Sequence, residues 1–254
     1  MPTGDPIQRF SSRVDNYVRY RPGYPHGLIE LLQNECHLTA DSVVADIGSG
    51  TGMLTRLFLE NGNRVFGIEP NPDMRKAGDE FLASYSKFQS VEGKAEATTL
   101  PDRSVDFVTA AQAAHWFDRQ KSRGEFVRIL KPGGWAVMVW NERRHQSTPF
   151  HRAYEALLQR WGIDYNEVRH EGARLTIGEF FAPSPHKEKA FDNPQEFDYE
   201  GLEGRLLSSS YMPLPGHPNY APAIEDLKRI FAEHQVHGRV IMDHDTRVYY
   251  GRLG

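Results

Sequence analysis

The chain has 254 residues, 39% of them apolar, with 30 Lys and Arg against 34 Asp and Glu, enough to bury one full core and too balanced for a disordered chain. The net charge of −4 lacks the basic footprint of a protein that grips polynucleotide phosphates, so nucleic acid is not an expected partner. With a mean hydropathy of −0.59 and an apolar run of only Trp135 to Trp140, nothing approaches the roughly 18 residues of a membrane span, and no membrane partner is expected.

Residues 1–24 are polar and rich in Arg and Tyr, and they read as an arm or lid. The start, Met1-Pro2-Thr3-Gly4-Asp5, holds neither a cationic patch nor an apolar stretch, which predicts a cytoplasmic protein. The prolines of Arg21-Pro22-Gly23-Tyr24-Pro25 forbid a continuing helix, and Pro25 then fits the first position of a new one carrying Leu28, Ile29, Leu31 and Leu32. Cys36, the single cysteine, excludes an intrachain disulfide and a multi-cysteine metal site, leaving a packing role. Ser42 to Ile47 is a β-branched strand, Met53 to Phe58 has helical spacing, Asn63 to Ile68 is a second strand, and Pro72 to Ser84 reads as the next helix. Further strands are predicted at Phe88 to Glu92, Val105 to Ala110 and Trp135 to Trp140, with a helix over Arg123 to Leu130. Such alternation predicts an α/β fold, a doubly wound parallel sheet with helices on both faces. Residues 25–254 read as a single domain, with 141–183 and 197–235 as cap or insertion segments. The runs His186 to Phe191 and Arg239 to Arg252 supply two closing strands, and a helix with Ile224, Leu227, Ile230 and Phe231 lies between them.

The densest chemistry lies in Gly48-Ser49-Gly50-Thr51-Gly52, directly after the first strand. A strand that turns sharply into a helix needs residues without a Cβ, and bare backbone also lets a ligand approach closely. The spacing is Gly-x-Gly-x-Gly rather than the Gly-x-Gly-x-x-Gly of dinucleotide sites, and Asp46 just before it would repel a pyrophosphate. A cationic ligand tolerates that carboxylate better. The second strand ends in Glu69, 17 residues beyond Gly52, where one carboxylate can accept from two adjacent ribose hydroxyls. Taken singly, a glycine loop also occurs for packing; on consecutive strands the two pieces fit adenosine.

With these residues in view, the chain resembles the class I S-adenosylmethionine-dependent methyltransferases, and among them the small-molecule branch called methyltransferase type 11. The resemblance covers roughly residues 12–141. It rests on Val44-Ala45-Asp46-Ile47-Gly48-Ser49-Gly50-Thr51-Gly52, Gly67-Ile68-Glu69-Pro70-Asn71, Gly93-Lys94-Ala95-Glu96-Ala97 with Leu100-Pro101-Asp102, and Arg128-Ile129-Leu130-Lys131-Pro132-Gly133-Gly134. It implies a Rossmann-like seven-stranded sheet, mostly parallel with one antiparallel closing strand, and a small helical cap. It also implies S-adenosyl-L-methionine as cofactor. Gly48, Gly50 and Gly52 would pass under the methionine part, Asp46 would face its ammonium, and Glu69 would hold the ribose. Ala95 and Glu96 would meet the adenine edge, Pro70 and Met74 would pack on the ring, and Gln112 would contact the methionine end. Lys94 departs from the family pattern, which often has Asp there, and leaves the adenine amino contact to Glu96.

Methyl transfer from a sulfonium needs alignment and desolvation more than a covalent catalyst, and no nucleophile motif is present. A hydroxyl acceptor also needs a base, and the candidate is His115 in Ala113-Ala114-His115-Trp116-Phe117, which packing alone would also explain. Trp116 and Phe117 either wall the acceptor pocket or pack a helix. In relatives with a similar Arg-Pro-x-Tyr-Pro segment the arm lies over the cofactor, so Tyr17 and Arg21 are candidates for cofactor contact, with surface salt bridges as the alternative. Trp140, Arg143 and Arg144 close the fifth strand on the ligand side of the sheet, where arginine suits an anionic acceptor. Weaker resemblance at Ser208-Ser209-Ser210-Tyr211-Met212-Pro213 points to methyltransferases of small carboxylic acids such as trans-aconitate, with Tyr211 as an acceptor contact; a polar helix end is the alternative. His217, His234, His237 and His244 have no metal-ligand spacing. The expected function is methylation of a small molecule at a carboxylate or hydroxyl oxygen, by a monomer or homodimer. The competing functions are a nicotinamide-dependent oxidoreductase and a non-catalytic S-adenosylmethionine-binding module.

Overall fold

A computed structural model describes residues 19–165 and 173–254. The described residues form two compact units: Gly23–Asn141 with 173–191 and Thr246–Gly254, and 19–22 with 142–165 and Asp192–Asp245.

The first unit is built on β1 (Val43–Ile47), β2 (Arg64–Ile68), β3 (Phe88–Val91), β4 (Val105–Ala111), β5 (Leu130–Arg143), β6 (His186–Asp192) and β9 (His244–Gly251). They form one sheet in the order β3-β2-β1-β4-β5-β9-β6, mostly parallel with one antiparallel closing strand. Side chains alternate across a strand, and the two faces fill separately. Ala45, Ile47, Val108, Ala110, Ala136 and Met138 enter one core with Phe126, Ile129 and Phe180. Val44, Phe107, Val137 and Val139 enter the other with Leu28, Leu32, Leu57 and Phe58. The first core is covered by α4 (Arg119–Ile129) and α6 (Ala173–Phe181), the second by α1 (Gly27–Cys36) and α2 (Met53–Glu60). Cys36 is buried in that second core, as a packing residue.

Several boundaries differ from the sequence reading. The first helix starts at Gly27 because the Pro25 carbonyl is taken by the Leu28 amide in a preceding turn. The helix after β2, α3 (Pro72–Phe81), stops three residues early, where Leu82 turns inward beneath Gly52. Asp118 starts α4 four residues early by accepting from the Lys121 amide, a cap worth about 1 kcal/mol. β5 takes in Lys131-Pro132-Gly133-Gly134 as a bulge: the register jumps from Val105 opposite Leu130 to Phe107 opposite Trp135.

The second unit has its own core. Thr148 caps α5 (Pro149–Trp161) and Asp198 caps α7 (Tyr199–Leu207), each accepting from a backbone amide of its first turn. Tyr154, Leu157 and Leu158 of α5 share this core with Leu202 and Leu206 of α7 and with Leu227 and Ile230 of α8 (Tyr220–His234). The apolar run over Arg239 to Arg252 is broken at Asp243. Its first part, β8 (Val240–Met242), leaves the main sheet and pairs antiparallel with β7 (Gln195–Phe197). Among the described residues no helix is long and apolar enough to cross a membrane, and no cluster of His, Cys, Asp and Glu could hold a metal ion.

Candidate active site

Parallel pairing of β1 with β2 sets Ile47 opposite Ile68, so the segments leaving these strands meet at the carboxyl edge of the sheet. The Gly48 and Ser49 amides donate to the Ile68 carbonyl at 2.8 and 3.1 Å, drawing the glycine loop across the end of β2. Gly48 has φ +67°, and a Cβ there would stand 2.7 Å from that of Ala113, so both backbone conformation and space require glycine. Met74 packs beneath the loop, 3.3 Å from where a Gly50 Cβ would lie.

Two buried carboxylates flank this loop. Glu69 accepts from the Gly50 amide at 2.9 Å and from the Asn71 amide at 2.8 Å, which fixes the loop to the start of α3. Burial raises its pKa against those hydrogen bonds. Asp46, 1% exposed, accepts from Thr55 Oγ1 at 2.7 Å and from Thr109 Oγ1 at 2.9 Å. Burial pushes its pKa up to about 6, the two threonines work against the rise, and the Glu69 charge adds to it. The arrangement is electronegative and backbone-lined. It suits a cation better than a pyrophosphate.

Pro70, half-buried, follows Glu69 directly. Ala95 is buried in a tight turn closed by reciprocal Lys94–Ala97 backbone bonds, with Lys94 exposed. Glu96 accepts from the Asp118 amide at 2.7 Å, at the start of α4. Gln112, just past β4, has φ +55°, which only a few per cent of non-glycine residues adopt. Its amide donates to the Val139 carbonyl at 2.9 Å and its Nε2 to the Asn141 carbonyl at 3.0 Å, joining the ends of β4 and β5. His115 and Trp116 lie in one turn of 3₁₀ helix, Ala114–Trp116, with ring centroids 4.7 Å apart. Trp140 belongs to the core, 5% exposed and edge-on to Tyr249.

The remaining candidates lie in the second unit, except Tyr17, which is outside the described residues. Arg21 Nη2 donates to the Ser208 carbonyl at 3.1 Å. Arg143 is ion-paired with Glu155, reaches the Tyr165 hydroxyl at 3.3 Å, and stacks 5.1 Å from the Tyr154 ring centroid. Arg144 is held by Asp192 and Asp245. Burial alone would raise the Glu155 pKa, but bonds from His145, Tyr165 and Arg143 overcome it and hold the carboxyl well below the usual range. The Tyr211 ring lies 4.8 Å from that of Tyr165.

Thr55, Thr109, Asn71, Glu155 and Arg205 escaped the sequence reading. For the last two a signal existed. Glu155 shares the buried stripe of α5 with His151, Tyr154 and Leu158, and Arg205 that of α7 with Leu202 and Leu206. Charges at core positions are rarely placed there without a partner or a task.

A family model described as a methyltransferase domain matches residues 45–138, the stretch from β1 to β5. An uncharacterised methyltransferase of Mycobacterium bovis is 40% identical over 134 residues, covering 53% of this chain and 52% of its own. An uncharacterised methyltransferase of Geobacillus sp. strain WCH70 is 31% identical over 160 residues, covering 59% of this chain and 74% of its own. The chain thus spans about half the length of the mycobacterial relative and three quarters of the other. The solved structure of a candidate type II methyltransferase from Anaeromyxobacter dehalogenans shares the fold at 21% identity, with a TM-score of 0.68 over 92% of this chain and 98% of that one. The chain belongs to the methyltransferase-domain family.

Proposed function

We propose that this protein transfers a methyl group from S-adenosyl-L-methionine to a carboxylate or hydroxyl oxygen of a small-molecule acceptor. The observation that carries the reading is the pair of buried carboxylates, Asp46 and Glu69, beside a glycine loop bonded to one of them. Each carboxylate oxygen that already accepts one hydrogen bond keeps capacity for another, so Glu69 can take a ribose diol without releasing the loop. Asp46 places negative charge where a sulfonium and an ammonium need it, and where a pyrophosphate would be repelled.

When bound, S-adenosyl-L-methionine supplies an activated methyl for in-line displacement. The protein's part is to hold and align. The glycine loop would offer the cofactor close backbone contact, Pro70 and Met74 would hold its adenine ring, and Ala95 and Glu96 would offer the adenine edge a backbone group and a carboxylate. Gln112 is held in a strained conformation beside the loop, as groups at ligand sites often are. His115 takes the proton at an imidazole nitrogen if the acceptor is a hydroxyl, whereas a carboxylate acceptor needs no base. Alignment of this kind is worth on the order of 7 to 11 kcal/mol of barrier without covalent catalysis.

The test is a thermal-shift comparison of S-adenosylhomocysteine with NADH on the full chain, followed by a methylation screen of acids, alcohols and phenols. Stabilisation by S-adenosylhomocysteine alone is expected. Stabilisation by NADH alone refutes the proposal, and tight S-adenosylhomocysteine binding with no acceptor in the panel favours a non-catalytic module.

A further inference from the structure

Within the second unit, Arg21 and Arg205 both reach Ser208, and the charges of Arg21 and Arg143 act on Arg205. Arg205, in the last turn of α7, is 6% exposed. Its Nη1 donates to Ser209 Oγ at 3.2 Å and lies 3.5 Å from Ser208 Oγ, while its Nε has no hydrogen-bond partner among the described residues. Burial itself and the charges of Arg21 and Arg143 press its pKa down to about 10. Burial and the charges of Arg205, Arg143 and Arg21 likewise push that of His244 down to about 2, leaving its ring neutral.

Glu155 cannot serve as counter-charge to Arg205, because it already accepts from Arg143, His145, Tyr165 and Gln159. Serine hydroxyls carry no charge, and the carboxyl end of α7 offers only about half an elementary charge. A buried guanidinium without a full counter-charge is costly, and an oxyanion from outside the chain removes that cost.

We propose that the second unit contains a buried oxyanion site, anchored by Arg205 and flanked by Arg21, Arg143 and Tyr211, that takes the carboxylate of a small organic acid. The guanidinium fork matches a carboxylate with two parallel hydrogen bonds. Arg21 donates to the Ser208 carbonyl and Arg205 lies 3.5 Å from the Ser208 hydroxyl, which brings cations from two separate segments to one place. Tyr211, half-buried and an electrostatic neighbour of Arg205, offers ring surface to a carbon skeleton, which a bare phosphate or sulfate lacks. As a binding site this stands on the second unit alone; that the acid is the methyl acceptor rests on the methyltransferase reading.

The experiment measures thermal shift and calorimetric binding on the full chain, with succinate and propane-1,2,3-tricarboxylate as probes and succinamide, phosphate and sulfate as controls. S-adenosylhomocysteine binding is a separate arm. The acids are expected to stabilise the wild type and the controls not. Arg205→Met should bind the acids at least tenfold more weakly, keep its S-adenosylhomocysteine affinity, and lose none of its ligand-free melting temperature, since an uncompensated charge has been removed. Arg205→Lys keeps the charge without the fork and should show the same weakening, which decides the matter if Arg205→Met does not fold. No shift with either acid, equal shifts with phosphate, or unchanged acid binding in the folded variants overturns the site. Loss of S-adenosylhomocysteine binding with acid binding intact refutes the methyltransferase reading alone.

Discussion

Lowering the pH from 7.5 to 5.0 should weaken S-adenosyl-L-methionine binding about tenfold while making the ligand-free protein more tolerant of heat through the same group. Asp46 is the cause, because its pKa is pushed up to about 6 by burial, against hydrogen bonds from Thr55 and Thr109 and with the charge of Glu69 adding to the rise. At pH 7.5 the carboxyl is almost wholly ionised, and at pH 5.0 about nine-tenths is protonated. If the ionised form alone matches the sulfonium and ammonium charges, apparent affinity falls by the fraction lost, about tenfold. Stability runs the other way. A folded pKa above the unfolded value of 3.8 means that the folded state binds more protons between about pH 4 and 6, so this group's contribution is present at low pH and lost as pH rises. The rise corresponds to roughly 3 kcal/mol of strain at neutral pH. Calorimetry at pH 5.0, 6.0 and 7.5 with S-adenosyl-L-methionine and with S-adenosylhomocysteine, which lacks the sulfonium charge, should show the steeper fall for the former. The Glu69 pKa is raised as well, so Asp46→Asn is the control that isolates Asp46 and should flatten most of the slope. Equal affinity at pH 5.0 and 7.5, or an unchanged slope in Asp46→Asn, refutes the reasoning.

Glu69→Ala should lower S-adenosylhomocysteine affinity at least about tenfold, since hydrogen bonds to charged groups contribute roughly 1.5 to 3 kcal/mol each; unaltered calorimetric affinity would place the ribose clamp elsewhere. Gly48→Ala puts a Cβ 2.7 Å from that of Ala113 at φ +67°, adding about 1 to 2 kcal/mol of backbone strain to the overlap. Scanning calorimetry should read a melting temperature lower by several degrees, and no change would mean that the loop relaxes freely. His115→Ala should reduce turnover of a hydroxyl acceptor and remove a limb of its pH–rate profile while cofactor affinity holds; an unmoved profile returns His115 to packing. Glu155→Gln leaves Arg143 buried without its counter-charge and should destabilise the fold by about 3 to 5 kcal/mol in denaturant titration. Because the Glu155 pKa is depressed, this stabilisation is present above about pH 4.5 and fades as pH falls, so the deficit of the variant should shrink in acid.

The meeting of the glycine loop with Glu69 in the first unit was legible because its residues lie in short segments. A β-branched run, three glycines and a helical spacing follow one another within Val43 to Phe58, and parallel pairing then carries Glu69 to the same edge. What the sequence reading missed there are contacts made across strands. Thr109 reaches Asp46 from β4, 63 residues away, and no local pattern distinguishes it from any other strand threonine. Element ends failed for a similar reason. The run over Arg239 to Arg252 has the composition of one strand, but β8 leaves the main sheet and pairs with β7, a choice made by tertiary packing rather than by propensity.

Arginines at the end of β5 suggest an anionic ligand by their position alone, yet in the fold Arg143 is paired with Glu155 and Arg144 with Asp192 and Asp245. Position along the chain shows where a charge can stand; it does not show which charges remain after the internal pairs are drawn. Arg205 is the converse case. On α7 it occupies the same stripe as Leu202 and Leu206, where a residue-by-residue reading takes it for the polar margin of an amphipathic helix. Only with Glu155 already filled, and with Arg21 and Arg143 acting on the same group, does Arg205 stand without a carboxylate partner among the described residues. The sequence could therefore raise the idea of an anion in this protein, but assigning its anchor required the partners that Glu155 and Arg205 take in the fold.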